Sequence, residues 1–239
     1  MTRGSVVEAV HTIHAVAVRD GQIVAEAGDP QILTFLRSSA KPIQALMLVR
    51  AYPELSDREI AIACASHLAH PEQLAAVRAL LAEVAAAAEV ERDDIPVAID
   101  GCGVPTFALP LDRCAHAFAR LPVLEGGVRV IAAVRNHPEM LRGPIAADAI
   151  FIRELDGWAA KGGAEGLFCA CSPDGLGVAL KVEDEAFRAI RPALAAFLGR
   201  LGITTGELGF VTIESSYGET VGELRTRPQS RVPKSGSRR

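Results

Sequence analysis

Residues 5–30 read SVVEAVHTIHAVAVRDGQIVAEAGDP, with β-branched and polar residues alternating on either side of Asp20-Gly21. A period of two around an Asp-Gly centre predicts a β-hairpin with a tight turn. The pattern then changes to helical spacing over 41–51, which Pro53 ends. SDREIAIACAS, from Ser56, predicts a second helix, and PEQLAAVRALLAEVAAAAE a long alanine-rich one over 71–89. IPVAID reads as a short buried strand that ends in the glycine turn DGCGVP. LDRCAHAFARL, VRVIAAVRNHPEML and ADAIFIREL read as helices. GLFCACSPDGLGVALKV predicts a hairpin around Pro173-Asp174-Gly175, and FVTIESSYGETVGELR a last one. Between them, EAFRAIRPALAAFLGRLG predicts a helix that kinks or breaks at Pro192.

The order is hairpin, helices, strand, helices, hairpin, helix, hairpin. This is not a βαβ alternation, so it predicts an α+β fold. One antiparallel sheet is expected from the N-terminal, middle and C-terminal hairpins, with helices packed on it. Nothing divides the chain, which predicts a single domain over 1–225. The basic tail 226–239, rich in proline and serine, is expected to be disordered.

Composition narrows the function classes. Of 239 residues, 49% are hydrophobic and 23% charged, the balance of a soluble globular chain. A net charge of -4 leaves no electrostatic footprint for nucleic acid. No apolar run approaches the roughly 18 residues that span a bilayer. Glu8, His11 and His14 interrupt the N-terminal stretch, so it does not read as a signal peptide. The expectation is a cytoplasmic protein without membrane or nucleic-acid partners. The five cysteines, Cys64, Cys102, Cys114, Cys169 and Cys171, are odd in number and include no CxxC, which points to reduced thiols. Cys169 and Cys171 share a strand face and are expected to be buried.

Four stretches hold candidate chemistry. Ser38-Ser39-Ala40-Lys41 contains S-x-x-K, whose spacing places Ser38 and Lys41 on one helical face. A lysine at a helix start meets the positive end of the dipole, which lowers its pKa and suits it to act as a base on a serine. The plainer alternative is a serine cap before a solvated lysine. Pro42 disfavours helical geometry at Lys41, so a distorted turn is expected there. Ser66-His67 closes an apolar helix, as a second hydroxyl at the site or as ordinary helix-end residues. Asp100 and Cys102 sit in a glycine-flanked turn after a strand. An acid there suits a ligand ammonium, and a tight turn with a packed thiol is the alternative. Lys161-Gly162-Gly163 reads as a loop before a strand, offering backbone N–H groups to a substrate oxygen and charge from the lysine, or else a flexible surface turn.

Taken together and in order, RSSAKPIQAL, CASH, DGCGVPTFALPL, KGGAEGL and GLGVALKVEDEAFRAIRPAL resemble the bacterial L-asparaginase family of the rhizobial type, also labelled asparaginase II. The resemblance runs from about Val6 to Arg225. It implies a fold like the serine β-lactamases and glutaminases, and hydrolysis of the side-chain amide of L-asparagine, a small-molecule substrate. Ser38 is then the nucleophile and Lys41 its base, with Ser66 and Lys161 as the second serine and lysine. Arg37, His67, Asp100, Cys102, Gly162 and Gly163 match the substrate pocket. The family implies a homodimer and no required cofactor. Its zinc ligands include a cysteine and a lysine from a Cys-Ser-Gly-Lys-His segment that this chain lacks between Leu68 and Ile99, so Cys102 is the one metal ligand that carries over. Two alternatives accompany this reading: an asparaginase-like binding protein impaired in catalysis, and a penicillin-binding-type serine acyl hydrolase acting on another amide.

Overall fold

The computed structural model describes residues 1–64, 74–99 and 105–227. The chain begins with two short strands, β1 (Thr2–Arg3) and β2 (Val6–Val7), and then the predicted hairpin, β3 (Ile13–Arg19) and β4 (Gln22–Ala27). Asp20 and Gly21 both take positive φ, 49° and 73°, as a tight turn that follows the strand twist requires. Strand β5 (Leu33–Phe35) leads through a 3-10 turn (Arg37–Ala40) into helix α1 (Lys41–Ala51), and α2 (Asp57–Ala63) follows. Ser56 and Glu59 form a reciprocal cap at the start of α2: Ser56 N–H and Oγ donate to Glu59 Oε2, and Glu59 N–H returns to Ser56 Oγ. Helix α3 (Leu74–Ala88), strands β6 (Val97–Ile99) and β7 (Pro105–Pro110), and helix α4 (Leu111–Arg120) come next. The predicted helix VRVIAAVRNHPEML divides at His137-Pro138 into α5 (Gly127–Asn136) and α6 (Glu139–Arg142). Helix α7 (Ala147–Glu154), strands β8 (Ala159–Gly162), β9 (Leu167–Cys171) and β10 (Gly177–Val182), helix α8 (Ile190–Arg200) and strands β11 (Thr212–Glu214) and β12 (Thr220–Glu223) complete the chain.

Among the described residues the strands form antiparallel sheets, and the architecture is α+β. The first and middle hairpins combine into a five-stranded sheet ordered β4-β3-β10-β9-β8. The C-terminal hairpin does not join it, contrary to the sequence expectation. It pairs instead with the extreme N-terminus, in the order β11-β12-β1-β2, Thr2 standing opposite Glu223. The reason is at the N-terminus: β1 and β2 supply a ready edge for β12. A third sheet, β5-β7-β6, lies beside the helices.

Helix α4 packs on β10, β3 and β9 from one side, burying Leu111, Cys114, Ala115 and Phe118. Helices α7 and α8 lie on the sheet as well, where Phe151 meets Phe168 at 5.2 Å and Trp158 at 5.5 Å. Burying large aromatic side chains in this way dominates such a core. Two further expectations do not hold. Pro192 makes no kink, because it occupies the first turn of α8, where the missing N–H has no partner to lose. PTFALP, which the sequence reading leaves unassigned after the DGCGVP turn, forms strand β7. Strand β6 is not buried: Val97 and Ile99 are 50% and 66% exposed. Among the described residues, no helix is long and apolar enough to cross a membrane.

Candidate active site

Ser38 sits on a turn that β7 holds in place. Leu36 N–H donates to Phe107 O at 2.8 Å, and Arg37 N–H to Thr106 Oγ1 at 3.2 Å. Arg37 takes a left-handed φ of 50°. Such a conformation costs a non-glycine residue about 1–3 kcal/mol and persists only where its surroundings fix it. The 3-10 turn follows, with Lys41 N–H bonded to Ser38 O. Residues i and i+3 eclipse in 3-10 geometry, so Ser38 and Lys41 share one side of the turn. Lys41 itself is helical (φ -59°, ψ -39°) despite preceding Pro42. The predicted distortion is therefore a tightening of the turn ahead of the lysine, not a departure at it.

The two serines have different surroundings. Ser39 is fully buried, and a Cβ on Gly163 would lie 2.6 Å from its Oγ and 3.0 Å from Leu36 O. Its hydroxyl faces the Cys169 thiol, a weak partner, and forms no well-shaped hydrogen bond. Ser38 is half-buried, and so is the serine of the pair that a substrate can reach.

Strand β8 packs against this same turn and brings Lys161 with it. The sequence reads this stretch as a loop. It is a strand buried along its whole length, and Lys161 has no exposed surface. Its Nζ donates to Gly162 O at 2.7 Å and stands 3.9 Å from Asp148 Oδ2. Burial draws the ammonium pKa down to about 8; Asp148 works against this, while the charges of Arg142 and Lys41 add to it. About a tenth of the population is then neutral at pH 7.

The backbone N–H groups that the glycines were expected to offer a substrate are already engaged. Gly162 N–H donates to Asp148 Oδ2 at 3.2 Å, and Gly163 N–H to Leu167 O at 2.8 Å. Gly163 serves instead by having no side chain, which lets Ser39 and Leu36 close on the strand. Arg37 pairs with Glu165 at 3.4 Å.

Asp148 is the residue that sequence reasoning missed. It is 1% exposed, and its Oδ1 also accepts Ala149 N–H at 3.2 Å. The available signal was a lone acid in the apolar helix ADAIFIREL, since a buried aspartate needs partners. Cys64, at the end of α2, completes the surroundings of the lysines. Burial pushes its thiol up to about 12, while the charges of Lys161 and Lys41 pull it down. Ser66 and His67 follow it in sequence and lie outside the described residues, as do Asp100 and Cys102.

Burial also drives the thiols of Cys114, Cys169 and Cys171 up, the last two to about 12. Among the described residues no three histidine, cysteine, aspartate or glutamate side chains are grouped to hold a metal ion. Cys102, the one zinc ligand that the resemblance carries over, lies outside the described residues.

A half-buried serine and lysine thus stand on one turn, with a buried lysine on the facing strand. The chain belongs to the L-asparaginase II family, whose model matches residues 1–90 and 80–226. Solved structures to which it is similar include a β-lactamase from Sphaerobacter thermophilus, at 16% identity and a TM-score of 0.43 over 74% of this chain and 83% of that one. The native form of Mglu matches at 12% and 0.48, over 72% of this chain and 56% of that one, so this chain spans little more than half of Mglu. The class D β-lactamase OXA-427 matches at 13% and 0.45, over 80% and 99%. No curated protein sequence matches the chain.

Proposed function

We propose that this protein hydrolyses the side-chain amide of L-asparagine to L-aspartate and ammonia. The observation that carries the reading is a fully buried Lys161, with a pKa near 8, packed at the Ser38–Lys41 turn. Family membership supports the same chemistry. Lys41, as a neutral amine, takes the Ser38 proton, and Ser38 Oγ bonds to the amide carbon. The C–N bond breaks, and the proton leaves with nitrogen as ammonia. Water then adds to the acyl-enzyme, releasing the aspartate side-chain carboxylate and returning the proton to Ser38. Lys161 with Ser66 forms the second lysine–serine pair. Arg37, His67, Asp100 and Cys102 line the pocket, and Gly162 and Gly163 shape its strand edge. The reading carries a cytoplasmic homodimer with it.

Ammonia release from asparagine and glutamine by the purified protein tests this. Asparagine is expected to release ammonia, and Ser38→Ala to abolish the release. Full activity in Ser38→Ala overturns the mechanism.

A second reading, a binding protein impaired in catalysis, is favoured by one observation. Val97 is exposed although its strand partner Phe107 is buried, as if a covering segment were gone. The family match in two pieces that meet at 80–90 agrees with a segment absent nearby. On this reading neither amide yields ammonia while the fold is intact.

A further inference from the structure

A second pocket lies on the other face of β8. Phe168 stands opposite Gly162, and side chains alternate along a strand, so both lie on the face away from the Lys161 and Cys169 side chains. Between α6, α7 and α8 this face opens into a cavity of about 280 Å³. Its walls hold Arg142, Arg188 and Arg191, together with Phe168, Phe187 and Ile190.

The three arginines have different partners. The Arg142 guanidinium lies over the Phe187 ring, 4.6 Å from its centroid. Arg188 Nε donates to His11 Nε2 at 3.2 Å. Arg191 donates to the backbone oxygens of Glu207 and Phe210 at 2.6 and 3.1 Å, with the Glu207 carboxylate 3.9 Å away. Arg191 Nε is buried and has no partner. The one acid in the wall, Asp148, is already committed to two backbone N–H groups and to Lys161. Three arginines thus line this space, and Asp148 borders it beside Arg142: a Cβ on Gly162 would lie 3.5 Å from Asp148 Oδ2 and 3.2 Å from Arg142 Nη1.

We propose that this pocket binds a small organic carboxylate, at a site separate from the Ser38–Lys41–Lys161 centre. The guanidinium groups supply the planar donors that match a carboxylate. The Phe187 ring, 45% exposed, supplies an apolar wall that an inorganic ion would leave unused. The first turns of α7 and α8 also line the cavity, and their partial positive ends add to the same field.

Calorimetric titration of the whole protein with sodium benzoate, at constant ionic strength set by chloride, tests the site. Saturable binding in the millimolar range is expected. Affinity should fall about tenfold or more in the double variant Arg142→Met, Arg188→Met. Both side chains are exposed, so this variant is expected to keep its Tm. If its Tm collapses, Arg142→Lys alone decides: a several-fold loss supports the site, and unchanged affinity overturns it. Inorganic phosphate is expected to bind more weakly than benzoate. Absence of saturable heat, benzoate binding unaltered in the folded double variant, or phosphate binding as tight as benzoate each overturns the proposal. The titration needs no turnover, so its outcome is separate from that of the asparagine assay.

Discussion

Strand β8 lies at one edge of the five-stranded sheet, and strand β6 at one edge of the three-stranded sheet. All four residues of β8 are buried, a lysine among them, and Asp148 accepts the N–H that Gly162 would otherwise present at the edge. Strand β6 is apolar, yet Val97 and Ile99 face solvent. Each placement runs against transfer preference: a charge-bearing side chain inside, two branched aliphatic ones outside. The two departures have different causes. Lys161 sits in a local network of Gly162 O, Asp148 and the neighbouring cations, and burial lowers its pKa. Val97 and Ile99 have no such network among the described residues, and their side chains face solvent. Burial of each would stabilise the fold by about 1.5–3 kcal/mol, and this chain does without it.

The contrast is sharpest at Lys161. Lys161→Met is expected to lower asparagine turnover about 10³-fold, the scale of a lost acid–base group, measured as kcat for ammonia release. In the parent, activity should rise with pH around about 8 as Lys161 loses its proton, and the variant should lose that limb. Stability follows with a definite sign. Below about pH 8 the folded and unfolded chains are both protonated, and the burial penalty is present in full. Between about 8 and the unperturbed 10.5 only the unfolded chain keeps the proton, so stability rises, by about 3 kcal/mol in all. Denaturant midpoints across that window should climb in the parent and not in Lys161→Met.

Next in size is Gly163→Ala. Its new Cβ would meet Ser39 Oγ at 2.6 Å and Leu36 O at 3.0 Å. A loss of about 1–3 kcal/mol is expected, read by urea unfolding, together with a weakened active turn. Asp148→Asn should act more gently. The amide oxygen still accepts Gly162 N–H, but the charge that raises the Lys161 pKa is gone, so the pH–rate midpoint should move about one unit lower. A midpoint that moves up instead would show that Asp148 does not act through Lys161. Smallest is the joint change Val97→Thr, Ile99→Thr, expected to alter stability by no more than about 0.5 kcal/mol because those side chains are already wet. The same change at a buried edge such as β8 would unfold the protein, so a large effect at β6 would mean that its face is covered in solution.

Elements with strong local signals were legible in the sequence. The Asp20-Gly21 hairpin and the helix over 41–51 lie where the pattern places them, and the α+β class follows from their order. Strand β7 escaped because prolines stand at both of its ends and invite a turn reading. Strand β8 escaped because Ala-Ala-Lys-Gly has low β propensity, and only tertiary burial makes it a strand. Of the candidate site, spacing singled out Ser38 and Lys41 and the Gly-Gly stretch singled out Lys161, while the resemblance cast Lys161 as the second lysine. What spacing cannot convey is that the Gly162 N–H is occupied, that Ser39 points inward, and that an aspartate from α7 reaches the same strand. Those are contacts between segments distant in the chain.

The backbone at Arg37 sets up a conflict between two kinds of selection. Glycine would adopt its left-handed conformation without strain, and the turn would gain stability from the exchange. The guanidinium beside the candidate nucleophile would be lost with it. A library varied at this one position and sorted for thermal resistance should therefore enrich glycine, while the same library sorted for ammonia release should discard it.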